Sequence, residues 1–508
     1  MSRTRAAARA RDADLPRYEA IARRFAKAIE DGTLAPGEKL PSVRRLRVDE
    51  EASASTVLQA LAQLEAAGLV EARPRSGYYV KIRALLPVPR PSTPPAHLSS
   101  SLEGVARLVA DVYHEANDPR LVHLGAATPT PELLPSRALA RAISAAAQRS
   151  ATGGVEVVFP PGLASLRRLV AQRAIAAGCA LSEDDFVVTS GATEALLLAL
   201  LAVASRGDTI AVESPAYYGT LLAIEALGLR VVEVPCHPDT GMDVDELAGR
   251  LDRHRVAAVL AVPSFSNPLG SCMPDEAKAR LVALLSARGI PLLEDDVYGD
   301  LAFGPARPRP AKAFDRDGTV IYCGSFSKTL APGFRVGFTA PGRFRERVEL
   351  LKFAASAATA TLQQRAVAHF LADGGYDRHL RTLRARLEGN VARAAAAVAR
   401  EFPDGTRVSR PRGGCFLWIE LPPSVDALVL HARALEAGVA IAPGHIFSAS
   451  HVHASCIRIS CGEPWSERIE GALRLVGRLA GRVMRTPPHP EPARSSDARP
   501  AASGGRAG

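Results

Sequence analysis

Four short segments carry side chains whose types and order could hold and activate an organic cofactor. Ser325-Phe326-Ser327-Lys328 closes the β-rich run VIYCGSFS, and Arg335 stands in the loop after it. Glu294-Asp295-Asp296-Val297-Tyr298 ends the run IPLLEDD, and Asn267-Pro268-Leu269-Gly270 ends AAVLAVPSF. Thr189-Ser190-Gly191-Ala192-Thr193-Glu194 links FVVTS to an apolar helix, so its amides and hydroxyls would meet an anion at the helix N-terminus. A lysine amine can condense with an aldehyde, and a carboxylate can hold a ring nitrogen cationic. Taken singly these segments are ordinary, because SxSK is a common loop, NPxG a common turn and an acidic pair a frequent helix cap. Their joint occurrence in this order is what points to chemistry.

Elements must bring these segments together. From about residue 120 to 485, FVVTS, TIAVES, RVVEVP, AAVLAVPSF, IPLLEDD and VIYCGSFS alternate with helical patterns. That alternation predicts an α/β domain with a mostly parallel sheet, in which ligands gather beyond the carboxyl ends of the strands. Residues 15–83 form a separate unit. Tyr18, Ile21, Ala22, Phe25 and Ile29 have helical spacing, stopped by Asp31-Gly32 and Pro36-Gly37. A short helix from Pro41-Ser42 through Leu46 follows, then one over 54–67 with Ser53 as N-cap and Gly68 as its stop. Strands over 69–72 and 78–80 complete three helices and a hairpin, a winged helix-turn-helix. Between the units, residues 84–119 contain ALLPVPRPSTPPAHLSSS and read as a proline- and serine-rich linker. Residues 1–14 and 486–508 read as disordered ends.

With 508 residues, 47% hydrophobic and 23% charged, the chain has the composition of a soluble globular protein of more than one domain. Its longest apolar stretch, Ala195 to Ala204, is about half of what a bilayer requires, and the first residues lack the apolar core of a secretory signal. Seven cysteines without a CxxC pair argue against a zinc site or a disulfide framework and fit a reducing cytoplasm. Residues 1–90 hold 17 Lys/Arg and 11 Asp/Glu, so +6 of the net +10 lies in under a fifth of the chain. That asymmetry points to an anionic partner, nucleic acid first.

Pyridoxal 5′-phosphate (PLP) needs a lysine, a carboxylate for the pyridine nitrogen, donors to its phenolate and a phosphate cradle, and the four segments supply each. In order and wording, residues 120–485 resemble fold-type I aminotransferases, the aspartate aminotransferase superfamily. The resemblance implies Lys328 as the Schiff-base lysine and Asp295 as the pyridinium partner. It implies Asn267 and Tyr298 at the phenolate oxygen and Tyr217, in ESPAYYG, stacked on the ring. Ala192, Thr193, Ser325, Ser327 and Arg335 would hold the phosphate. Arg458, in CIRIS, would pair with a substrate carboxylate, a task for which the guanidinium fork is shaped. GGCFLWIEL (413–421) and VAIAPGHIF (439–447) resemble the small C-terminal subdomain of these enzymes, with His445 a polar loop residue.

The N-terminal unit resembles the winged helix of GntR-family regulators, through PGEKLPSVRRL, SASTV and GLVEARPRSGYYV. Helix 54–67 would then enter the major groove. Arg44, Arg45, Arg73 and Arg75, with the hydroxyls of Ser55 and Thr56, would reach phosphates. Two features depart from the family: Ala54 and Gln59 stand where basic residues are frequent, and Asp49-Glu50-Glu51 precedes the reading helix. The fusion as a whole resembles the MocR-type regulators. It implies a cytoplasmic head-to-tail homodimer in which PLP and an amino acid or amine alter DNA binding. The alternative is a working aminotransferase with a 2-oxo acid acceptor. Here Val157 stands where the family usually places a tyrosine that reaches the partner subunit's phosphate.

Overall fold

A computed structural model describes residues 16–30, 33–34, 37–66, 69–73, 76–80, 89–93, 98–99, 105–115, 117–126, 128–304 and 306–485. The two ends read as disordered, the stops Asp31-Gly32, Pro36 and Gly68, and Arg75 lie outside the described residues.

The N-terminal unit packs helices Arg17–Glu30, Val43–Asp49 and Ala54–Ala66 against an antiparallel hairpin, Val70–Arg73 with Gly77–Val80. Its core is small and entirely apolar, built on Ile21, Phe25, Leu46, Val57, Leu61 and Val80. Both later helices start on serine caps. Ser42 Oγ accepts from the Arg45 amide at 3.3 Å and Ser53 Oγ from the Thr56 amide at 3.1 Å. The second helix outruns its expected end at Leu46, because Arg45 reaches Asp49 one turn on, at 2.9 Å.

The large domain is organised by one sheet. Its strands run in the order Leu98–Ser99, Arg230–His237, Thr209–Ser214, Ala258–Ala261, Leu292–Asp295, Val320–Ser325, Gly337–Ala340, Val187–Thr189. Arg230–His237 through Val320–Ser325 are mutually parallel, and Gly337–Ala340 runs antiparallel to both neighbours. The parallel strands are continuous apolar runs such as Ile210-Ala211-Val212 and Leu292-Leu293, as burial on both faces requires. Helices that include Ala192–Val203 and Asp275–Ala287 cover them.

The stretch 84–119 differs from a free linker. Val105–Glu115 is a helix whose Val105, Val109 and Val112 enter the main core. Leu98–Ser99 adds an antiparallel strand beside Val231 and Val232, and Ser92 Oγ donates to Glu420 at 2.9 Å. The proline run masks a helical i, i+4, i+7 spacing just beyond it.

The small C-terminal subdomain has its own core and an antiparallel sheet of Arg407–Val408, Phe416–Glu420, Cys456–Ser460 and Ala442–Pro443. The 27-residue helix Gly375–Glu401 and helices Ala427–Glu436 and Glu467–Arg485 cover it. No helix among the described residues is long and apolar enough to cross a membrane.

Candidate functional site

Adjacent parallel strands deliver the reactive side chains to one edge of the sheet. Asp295 is the last residue of its strand and pairs in register with Cys323, which puts Lys328 just past the end of the neighbouring strand. One cavity is lined by Ala192, Thr193, Tyr217, Asn267, Asp295, Tyr298, Ser325, Ser327, Lys328 and Arg335. These are all the residues the sequence nominated for the cofactor. Arg458 joins through Asn267, whose Oδ1 accepts from its guanidinium at 2.8 Å.

Lys328 Nζ donates to Thr128 Oγ1 at 3.0 Å. Burial, with smaller contributions from the Arg458 and Arg335 charges, pushes its amine down to about 8. A larger neutral fraction near pH 7 is what a nucleophilic amine requires. Asp295 responds in the opposite direction. Burial, then the neighbouring Asp296 carboxylate, pushes its carboxyl up to about 7, and its Oδ1 has no hydrogen-bond partner.

The two acids beside Asp295 are already committed. Glu294 accepts from the amides of Ala311 and Lys312 at 2.6 and 2.8 Å. Asp296 accepts from Tyr322 at 2.7 Å and pairs with Arg307. Asp296 Oδ1 is likewise buried and unpartnered, but of the three acids only Asp295 lines this cavity, and its free oxygen is the group a protonated ring nitrogen would complete. Nearby, Asn267 donates to the Tyr298 hydroxyl at 3.3 Å, and burial holds that phenol protonated, well above its usual range.

At the other end, helix Ala192–Val203 starts at Gly191. Gly191 has φ +83°, and a Cβ there would lie 2.4 Å from the Arg335 guanidinium, so the position takes glycine twice over. Arg335 donates to Ser327 Oγ and to the Ser190 carbonyl, each at 3.2 Å, and Ser325 Oγ lies 2.9 Å from Ser327 Oγ. Helix-start amides, two serine hydroxyls and a guanidinium converge as an anion cradle.

Arg458 is fully buried, with its guanidinium 4.9 Å from the Phe416 ring centroid, 5.0 Å from Phe447 and 5.7 Å from Tyr218. One nitrogen donates to the Gly125 carbonyl at 2.6 Å, and Nε has no partner. A desolvated cation with donors to spare suits a small carboxylate. The sequence reading quoted the segments that hold these three rings but gave the rings no role, and it missed Thr128, since GAATPT carries no pattern of its own. His445 sits 3.8 Å from Asp426, outside the cavity lining. The parts therefore fit PLP: an amine, an acid with one unpartnered oxygen, phenolate donors and an anion cradle around one space.

In the winged helix, Arg44 is exposed and Arg45 is paired with Asp49. Arg73 pairs with Glu71 at 2.7 Å and lies 4.3 Å from the Tyr79 ring centroid. Ser55 Oγ and Thr56 Oγ1 each lie 2.8 Å from Ser53 Oγ at the start of the second long helix. Of the acids before that helix, Asp49 is taken by Arg45 and Glu50 by Arg24.

Residues 129–474 match the family model for aminotransferase class I and II, and residues 17–80 match that for bacterial regulatory proteins of the gntR family. The Escherichia coli K12 protein named uncharacterized HTH-type transcriptional regulator YjiR is 37% identical over 470 residues, 92% of this chain and all of the relative. The 2-aminoadipate transaminase of Thermus thermophilus is 33% identical over 387 residues, 74% of this chain and 95% of that enzyme. The crystal structure of LysN, alpha-aminoadipate aminotransferase from the same organism, complexed with N-(5′-phosphopyridoxyl)-L-leucine, superposes with TM-score 0.69 at 30% identity. The superposition covers 74% of this chain and 95% of LysN.

Fold and site thus define a PLP-type aminotransferase domain of fold-type I, carried behind a GntR helix-turn-helix. The chain belongs to the MocR-type family, in which those two domains are joined in one polypeptide.

Proposed function

We propose that the chain is a PLP-dependent transcriptional regulator, binding DNA through residues 15–83 and sensing an amino acid or amine at Lys328. The observation that carries this reading is the Asp295–Lys328–Arg458 site kept whole in a chain that also carries a winged helix. YjiR and YdcR, both named as HTH-type transcriptional regulators, match this chain over 100% and 99% of their lengths.

When bound, PLP supplies an aldehyde that condenses with amines and a ring that accepts electrons. The chain's residues do the rest. Lys328 would offer its amine, and Asp295 would keep the ring nitrogen protonated. Tyr298 and Asn267 would donate to the phenolate oxygen, and Tyr217 would lie against the ring. Ala192, Thr193, Ser325, Ser327 and Arg335 would hold the phosphate, and Arg458 would select a carboxylate. A ligand changes DNA affinity only by binding two arrangements of the protein unequally. The arrangements belong to a cytoplasmic head-to-tail homodimer. Its interface would draw on the exposed apolar side chains of Val155 and Val157, 84% and 59% exposed, and of Phe159 and Phe353, whose ring centroids lie 5.9 Å apart. Ser55, Thr56 and Arg44 lead the DNA contacts.

The second reading, a working aminotransferase, is favoured by the match over 95% of the 2-aminoadipate transaminase. Fluorescence anisotropy on DNA from the protein's own upstream region, at fixed salt and with PLP present or stripped, separates them. Affinity that exceeds that for scrambled DNA and changes with PLP is expected. Equal affinity for both DNAs, with multiple-turnover transfer from an amino acid to 2-oxoglutarate, sinks the regulator reading.

A further inference from the structure

The helix that opens the anion cradle has an acid at its third residue, Glu194. A carboxylate in the first turn of a helix is ordinarily favourable, since it meets the positive end of the helix dipole. Here that same end is to receive a phosphate dianion, and two like charges close together oppose each other.

A buried ammonium resolves the conflict. Lys352 Nζ lies 2.7 Å from Glu194 Oε2, and its side chain is only 1% exposed. Ser356 Oγ donates to Glu194 Oε1, also at 2.7 Å, and accepts from Lys352 at 2.7 Å. Both come from helix Arg345–Ser356, which packs on the cradle helix. Glu194 in turn accepts from the Ser190 amide at 2.6 Å, while the Ser190 carbonyl accepts from Arg335 at 3.2 Å. Ser190, which leads into Gly191, is therefore held through both its amide and its carbonyl.

A plain capping role explains the carboxylate, which satisfies an amide at the helix start. It does not explain a desolvated lysine, whose burial is costly unless its charge is used. We propose that Lys352 is a positioning residue for a phosphate monoester. It neutralises Glu194, so that Glu194 can shape the Ser190–Gly191 turn without repelling the cofactor's phosphate. This rests on the reading of Ala192 and Thr193 as the phosphate cradle.

The test measures dissociation constants of PLP and of pyridoxal, which lacks the phosphate, by the visible band each forms with the full-length apo chain. Parent, Lys352→Met, Glu194→Gln and the double variant are compared. Lys352→Met should weaken PLP about tenfold or more, because it leaves Glu194 facing the phosphate alone. Glu194→Gln should bind PLP as tightly as the parent or tighter. The double variant should return to within about threefold of the parent, the signature of a coupled pair. Pyridoxal affinity should stay level throughout.

A merely structural pair gives another pattern. Both single variants then weaken PLP, because each breaks the same contact, and pyridoxal falls alongside. That result, or an unchanged PLP affinity in Lys352→Met, overturns the proposal. Should Lys352→Met not fold, the other two variants still decide: PLP binding weaker than the parent's in Glu194→Gln overturns it. A parent protein that forms no band with either aldehyde refutes instead the assignment of Lys328.

Discussion

The hydroxyl of Tyr376 lies 2.7 Å from Oγ1 of Thr329, the residue that follows Lys328. The same phenol is 3.1 Å from Asp300 Oδ2, and Asp300 is paired with both Arg173 and Arg307. Arg307 continues the chain of contacts to Asp296, the neighbour of Asp295. A buried polar relay thus spans from the lysine loop to the acid loop, behind the cavity. Tyr376→Phe keeps the ring, which packs edge-on against Phe326 at 5.8 Å, and removes only the hydroxyl. The loss of a buried hydrogen bond should lower unfolding stability by about 1–2 kcal/mol, read by urea titration. It should also shift the pH midpoint of the visible PLP band, because the lysine loop loses its anchor. An unchanged midpoint with reduced stability would leave the relay a purely structural device.

Stability of the PLP-free protein should depend on pH through Asp295. Its folded pKa is raised to about 7, above the usual carboxylate value, chiefly by burial. For an acid shifted upward, the stabilising contribution is fully present below the unfolded pKa near 4 and is lost as pH rises through 7. Asp295→Asn removes the ionisation. The variant should therefore gain stability on the parent as pH goes from about 4.5 to 7.5. Glu213 and Glu294 are raised in the same direction, to about 8 and 7, and are common to both proteins; Glu213 also feels the Asp295 charge, so the difference reports Asp295 together with its coupling to Glu213. Thermal melting across that range is the measurement. A gain that is constant with pH would place the charge elsewhere.

Much of this site was legible because strand ends present short local words. Asn267, Asp295 with Tyr298, and Ser325 with Ser327 and Lys328 each lie within a few residues of a strand, so type and order located them. What escaped is tertiary. Thr128 meets Lys328 from 200 residues away, and Lys352 meets Glu194 from 158. Tyr376 lies inside a 27-residue helix, where its spacing reads as core. The parallel sheet was legible from the alternation of short β-rich runs with helical patterns. Helix Val105–Glu115 was obscured by the adjoining prolines, although Val105, Val109 and Val112 repeat at helical spacing.

Arg458 offers a way to tell a carboxylate-bearing ligand from a simple amine. It is enclosed by Phe416, Phe447 and Tyr218 and keeps an unpartnered Nε. Arg458→Lys retains a charge but loses the planar fork. Amino acids that perturb the PLP band should bind the variant about 100-fold more weakly, corresponding to about 3 kcal/mol for a desolvated charge-assisted pair. Amines without a carboxylate should lose little. Spectral titration with matched amino acid and decarboxylated amine reads both; equal losses for the two would remove Arg458 from ligand recognition.

The DNA contacts are expected to be unequal, for an electrostatic reason visible in the ion pairs. Arg45 must leave Asp49 to meet a phosphate, and Arg73 must leave Glu71, so replacing either also frees an acid near the DNA. Arg44 is exposed and forms no ion pair among the described residues. Each phosphate contact contributes about 0.9 to the slope of log affinity against log salt. Arg44→Ala should therefore lower that slope by roughly this amount and weaken specific and scrambled DNA alike. Asp49→Ala should do the reverse, tightening DNA by releasing Arg45. Anisotropy titrations at three or more salt concentrations give both slopes. If Arg44→Ala leaves the slope intact while Asp49→Ala weakens binding, the short helix Val43–Asp49 does not face the backbone.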